Sequence, residues 1–284
     1  VKFLISVIAV LIGFAIACGD SNKSDSKSKF RRVELTGIWS YENSSATDVV
    51  DYIHYVTVPV ENMRYQKLIS IKIDNITKYE KLPHDNGLDN YLKIYFPLYA
   101  NSKRELKVTF LLELIPIDFI KDNLTSFEND PSYINLYLQP GDKIESDDSQ
   151  IIEVANNISN EYSSALDKAK KAYEYVADQL VYEVQSEDFG ALWALLNKKG
   201  DCTEFASLFA AINRANGIPT RITAVFNVSG VIGEYNSPNH NANQVYIEPY
   251  GWLPVDPNLG YGRYDIDHGF GIVADYQVLY KREG

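Results

Sequence analysis

The sequence predicts an α+β chain: a β-rich first half, then a run of helices, then a returning antiparallel sheet. Three observations carry this. Ile69, Ile71 and Ile73 alternate with Ser70, Lys72 and Asp74, and Leu106, Val108, Phe110, Leu112 and Leu114 alternate with Lys107, Thr109 and Glu113. Period 2 over such lengths marks half-buried strands. Beyond Gln139-Pro140-Gly141-Asp142 the apolar spacing changes to three and four, and after residue 220 strand-like runs resume.

In chain order, Lys2 precedes an apolar run over 3–17. At about 15 residues it is shorter than the roughly 20 of a membrane-spanning helix and suits a secretory leader. It ends in Ala15-Ile16-Ala17-Cys18-Gly19. Small residues directly before a cysteine are similar to a bacterial lipobox, with Ala15 where leucine is usual. The reading is a lipoprotein signal over 1–17, lipidation at Cys18, and a flexible tether over 18–29, which includes Ser21-Asn22-Lys23-Ser24-Asp25. This implies a bacterial envelope protein, lipid-anchored on the periplasmic side or the cell surface. With Cys18 lipidated, Cys202 has no disulfide partner in the chain, whose cysteines number 2.

Residues 30–140 read as a β-sandwich of immunoglobulin size, with Asp85-Asn86-Gly87 as a tight turn between strands. His54 and His84 have no cysteine or clustered carboxylate at ligand spacing and read as strand and turn residues. Residues 141–284 form the second domain. Asp147 or Asp148 caps a helix whose apolar face carries Ile151, Ile152, Val154, Ala155 and Ile158. A second helix over about 164–180 carries Ala165, Ala169, Ala172, Tyr173, Val176 and Leu180. A third, over about 202–216, buries Phe205, Leu208, Phe209 and Ile212 and stops at Asn216-Gly217 before Ile218-Pro219. Strands follow over 221–228, 243–248 and 252–255. Asp265-Ile266-Asp267-His268-Gly269 lacks the acceptors of a calcium loop and reads as a turn.

Charge narrows the partners. A net charge of −11 supplies no basic stripe for nucleic acid and no attraction to anionic lipid. No cofactor or metal is implied.

The chemistry gathers around Gly200-Asp201-Cys202-Thr203-Glu204-Phe205-Ala206, which sets a cysteine at a helix N-terminus, where free N–H groups and the helix dipole favour a reactive thiolate. Asn239-His240-Asn241 and Gly251-Trp252-Leu253-Pro254-Val255-Asp256-Pro257 then supply a base and an orienting carboxylate. These blocks, with Arg214-Ala215-Asn216-Gly217-Ile218-Pro219-Thr220-Arg221 between them, resemble the bacterial transglutaminase-like superfamily, papain-related cysteine enzymes. The resemblance covers about residues 140–275. It implies a papain-like core with Cys202 as nucleophile, His240 as base and Asp256 as orienting acid. It also implies cysteine-dependent acyl transfer at an amide of a protein or peptide substrate, with hydrolysis favoured. The alternatives are protein-glutamine cross-linking and an inactive surface-binding module. The Cys202 N–H is one oxyanion donor; Tyr182 or Trp193 is the second, and the sequence does not choose between them. Where the family carries Ala-Trp after the histidine and then a glutamate, this chain has Asn241, Ala242 and Gln244. Those departures reshape the pocket wall and remove a charge near the site.

Overall fold

The computed structural model describes residues 5–14, 30–61, 63–85, 87–125, 131–228, 233–234, 240–263 and 266–283. The first half is built from β1 (Ile5–Phe14), β2 (Arg31–Asn43), β3 (Val49–Val58), β4 (Gln66–Ile73), β5 (Tyr79–Pro83), β6 (Asn90–Leu98), β7 (Ser102–Leu114) and the short β8 (Ile117–Asp118). The second half contains α1 (Ser149–Glu161), α2 (Ala165–Gln179), β9 (Val181–Tyr182), α3 (Ala191–Asn197), β10 (Lys199–Gly200) and α4 (Cys202–Ala215). It ends with β11 (Thr220–Asn227), β12 (Gly233–Glu234), β13 (His240–Ile247), β14 (Gly251–Val255), β15 (Ile272–Val273) and β16 (Gln277–Arg282).

The N-terminal half is β-rich, as the alternation requires. One sheet runs β12-β1-β2-β7-β4, another β3-β6-β5, and the described pairings within both are antiparallel. Val33, Leu35 and Val108 of the first and Val56, Leu92 and Ile94 of the second share one apolar core. The apolar run read as a leader is, over Ile5–Phe14, a strand paired along β2. Cys18 and the tether lie outside the described residues.

A larger core underlies the second half. The helix caps follow the expected chemistry. Asp148 accepts from the Gln150 N–H at 2.8 Å, Ser164 caps α2, and Gly217 takes a φ of 72° just beyond α4. The buried stripe of α1 is narrower than its composition suggests. Ile151, Ala155 and Ile158 are buried, whereas Ile152 is turned outward. At 3.6 residues per turn, 151, 155 and 158 align and 152 falls to one side. The C-terminal sheet runs β14-β13-β11-β16. Pro254 lies on β14, an edge strand, where its missing donor costs nothing.

The two halves are stitched along β16, a strand that no simple pattern in the sequence announces. Gln66 Nε2 donates to the Val60 and Leu279 carbonyls at 2.7 and 2.6 Å, and its Oε1 accepts from the Leu279 N–H at 2.8 Å. Arg282 forms a buried ion pair with Asp89 at 2.8 Å. Val60, Met63, Tyr65, Ile117 and Phe119, all from the first half, sit in the larger core. Catalytic sheet and N-terminal sheets are thereby set in one fixed relation.

Candidate active site

Cys202 is the first residue of α4. The turn before it is held by a reciprocal capping box. Asp201 Oδ1 accepts from the Thr203 N–H at 3.0 Å, and Glu204 Oε2 accepts from the Asp201 N–H at 3.0 Å. Glu204 is fully buried, and its Oε1 takes the Phe189 N–H at 2.9 Å. Burial pushes its pKa up from the usual carboxylate value against the pull of those N–H groups. Gly200 is required here, because a Cβ would fall 2.3 Å from the Glu204 Cβ. Residue-level reasoning passed over Glu204, although Asp-x-x-Glu before an apolar run is itself a helix-start signal. The Cys202 N–H opens α4 without a hydrogen-bond acceptor among the described residues and is free to face a ligand.

His240 opens β13, three residues earlier than the predicted strand. β13 pairs with β14 from Asn243↔Val255 to Ile247↔Gly251, which delivers Asp256 at the end of β14 beside the histidine. His240 Nε2 and Asp256 Oδ2 are 2.7 Å apart. The Cys202 thiol is near enough to the same ring for its hydrogen bonding and charge to act on the imidazole. Burial is the largest influence on His240 and acts to lower its pKa. The hydrogen bonds and charges of Asp256 and Cys202 together outweigh burial and push it from 6.5 up to about 10. Asp256 is buried, and its Oδ1 is occupied by the Asn258 N–H at 3.2 Å. The fold brings Cys202, His240 and Asp256 together.

The two oxyanion candidates separate. Tyr182 of β9 lies parallel-paired with Gly200, two residues before Cys202. Partial burial raises its hydroxyl pKa, and the charges of Cys202 and Asp201 act in the same direction, which puts the phenol within electrostatic reach of the thiol. Trp193 stacks on Phe189, ring centroids 4.5 Å apart, and its carbonyl accepts from Asn197. Its described contacts lead along α3 and not to Cys202.

The departures also have a structural account. Gln244 Oε1 accepts from Arg221 Nε and Nη2 at 2.9 and 2.6 Å, while its Nε2 donates to the Tyr65 hydroxyl at 3.1 Å. Arg221 is fully buried and lies 4.1 Å from the Trp252 ring centroid. An amide at 244 thus joins the catalytic sheet to the N-terminal half. Beside Ala242, Tyr65 and Leu279 line the same space as Asp256, leaving a cavity of about 30 Å³. That is room for one or two waters. The wall is reshaped by a neighbour and not simply opened.

Residues 152–257 match the family model described as the transglutaminase-like superfamily. The C-terminal core is transglutaminase-like. In its fold the chain is similar to a candidate cysteine protease from Cytophaga hutchinsonii, with a TM-score of 0.56 and 15% identity, covering 99% of this chain and 84% of that one. It also has some likeness to the periplasmic domain of TgpA from Pseudomonas aeruginosa, with a TM-score of 0.45 and 15% identity, covering 83% of this chain and 73% of that one. No curated protein matches the chain. At such identities the first likeness speaks for the fold alone. The transglutaminase-like match supports a cysteine-dependent enzyme at the level of the superfamily. Among the described residues, no three His, Cys, Asp or Glu side chains are placed to hold a metal ion. Nor is any described helix long and apolar enough to cross a membrane.

Proposed function

We propose that this protein is a thiol-dependent amide hydrolase of the bacterial envelope, acting on protein or peptide substrates through Cys202, His240 and Asp256. The observation that carries the reading is His240 held between a carboxylate and the thiol, with its pKa raised to about 10. Such a histidine holds its proton across the neutral range, ready to give it to a departing amine.

The reaction follows from that pair. The sulfur attacks the amide carbon, and the carbonyl electron pair moves onto oxygen. The Cys202 N–H and the Tyr182 hydroxyl act as the donors to this oxyanion, each contributing roughly a hundred- to a thousandfold in rate. The imidazolium then gives its proton to the departing amine as the C–N bond breaks, leaving a thioester. Water, deprotonated by the now neutral His240, attacks the thioester and releases the acid and the thiol. Asp256 keeps the ring oriented throughout.

The proposed organisation is a leader over 1–17, a tether over 18–29 lipidated at Cys18, and an N-terminal β-sandwich over 30–140. Strands β2, β4 and β7 in one sheet and β3, β5 and β6 in another, with one apolar core between them, support an immunoglobulin-like arrangement for the last. The transglutaminase-like catalytic domain occupies 141–284.

One observation favours a second reading, cross-linking. Asp188 lies within charge–charge range of Lys143, Asp142 and Asp201 at the nucleophile's end of α4, a setting that is acidic on balance and suits a cationic amine as acyl acceptor. The deciding experiment incubates the protein with a glutamine-containing protein and a labelled primary amine, with Cys202→Ala as control. Cleavage or deamidation that depends on Cys202 is the expected result. Label incorporation without hydrolysis would replace the hydrolase by a transglutaminase. Neither product, together with ordinary thiol alkylation kinetics at Cys202, would leave a binding module.

A further inference from the structure

The spacing of nucleophile and base depends on how α4 sits on β13, and the residues next to each carry a direct link. Asn241 follows His240, Thr203 follows Cys202, and Asn241 Nδ2 donates to Thr203 Oγ1 at 3.1 Å. A second bond, Asn243 Nδ2 to the Ala206 carbonyl at 3.0 Å, lies one helical step further on. Residues 203 and 206 share a helix face, and residues 241 and 243 share a strand face. The two bonds therefore form successive rungs between the same two elements, the first immediately beside the reacting pair. Thr203 is itself held from the other side, its N–H bound to Asp201 in the capping box. The link thus runs from a fixed helix start to the first residues of β13.

We propose that Asn241 and Thr203 are positioning residues: their side-chain bond is a strut that sets the distance between the Cys202 sulfur and the His240 ring. This rests on the catalytic reading above. Neither strut residue titrates, so removing the bond acts on the pair through geometry. The groups facing His240 in the site remain Asp256 and Cys202. The Asn243 rung is buried deeper and one turn away from the sulfur. It serves packing.

The test needs no substrate. The full chain is alkylated with iodoacetamide across pH 5–9, and modification of the Cys202 peptide is followed by mass spectrometry. In the wild type a fast rate persists below neutral pH. Asn241→Ala and Thr203→Val each lower the pH 6 rate about tenfold or more, and their profiles slide toward that of an ordinary thiol. A misplacement of about 1 Å suffices for losses up to a hundredfold. The double variant is no slower than the worse single one, because both remove the same bond. Thr203→Ser, which keeps the oxygen, restores most of the rate. Asn243→Ala lowers the thermal midpoint but leaves the profile in place. A wild-type profile in folded Asn241→Ala overturns the strut, as does an equal shift in Asn243→Ala. If instead the wild type itself alkylates like an ordinary thiol, the catalytic reading falls and the strut falls with it.

Discussion

Each half of the molecule holds a histidine removed from water, and the two are driven in opposite directions. His54, on β3, lies among aromatic rings, with Trp39 and Tyr41 centroids 4.9 and 5.7 Å away. Its Nε2 has no hydrogen-bond partner among the described residues, and burial alone lowers its pKa to about 4. His240 is desolvated too, yet its pKa is raised to about 10, because the hydrogen bonding and charges of Asp256 and Cys202 outweigh that burial. The difference teaches that burial by itself silences an imidazole, while burial beside fixed partners holds it charged. The N-terminal half supplies the first environment and the transglutaminase-like core the second.

The comparison can be broken most severely at Asp256. Asp256→Asn removes the partner that distinguishes the two histidines. Turnover is expected to fall about ten-thousandfold, and the His240 titration, followed by imidazole NMR, to move down toward that of His54. Retained turnover would show that the carboxylate does not orient the base. In the proposed mechanism the charged ring protonates the leaving amine, so the activity of the unmutated protein is expected to fall as pH rises through about 10. The raised pKa also favours the folded state. That stabilisation is complete below about pH 6.5 and is lost as pH rises through about 10.

The next effect concerns the seam between the halves. Arg282→Met leaves Asp89 buried without its ion-pair partner and is expected to cost about 3–5 kcal/mol, read as a lower calorimetric midpoint. A shift of less than a few degrees would mean that β16 is not the main tie between the two units.

The smallest effect sharpens the comparison from the other side. His54 is neutral in the fold, so its contribution to stability is present above about pH 6.5 and is lost as pH falls through about 4. After allowance for the ring's partial exposure this is on the order of 2 kcal/mol. His54→Phe should flatten that part of the acid limb in thermal melts recorded from pH 7 to 4. An unchanged limb would place the acid sensitivity elsewhere.

Local chemistry was legible where it involves neighbours in the chain. A cap at Asp147 or Asp148, the helix start at Cys202, the stop at Asn216-Gly217 and the order Cys202, His240, Asp256 can all be read directly, because caps and turns act over three or four residues. The choice of Asp148 and the caps Ser164 and Asp201 are seen in the fold. Helix α3 was not read, since seven residues give too little periodicity to separate it from a loop. That Tyr182 lies beside Gly200 while Trp193 stacks on Phe189 shows only in the packed chain. The Asn241–Thr203 link spans 38 positions and leaves no local trace.

Residue types and their order were enough, without coordinates, to specify the element classes, the helix that presents Cys202 and the identity of the three candidate catalytic groups. Periodicity and capping are encoded within a few residues, so they survive in one dimension. Only the folded arrangement decided that β16 closes the catalytic sheet, that Tyr65 meets Gln244, and that His240 is charged where His54 is not. Those outcomes depend on desolvation and on partners brought in from distant parts of the chain, and such energies exist only once the chain has packed.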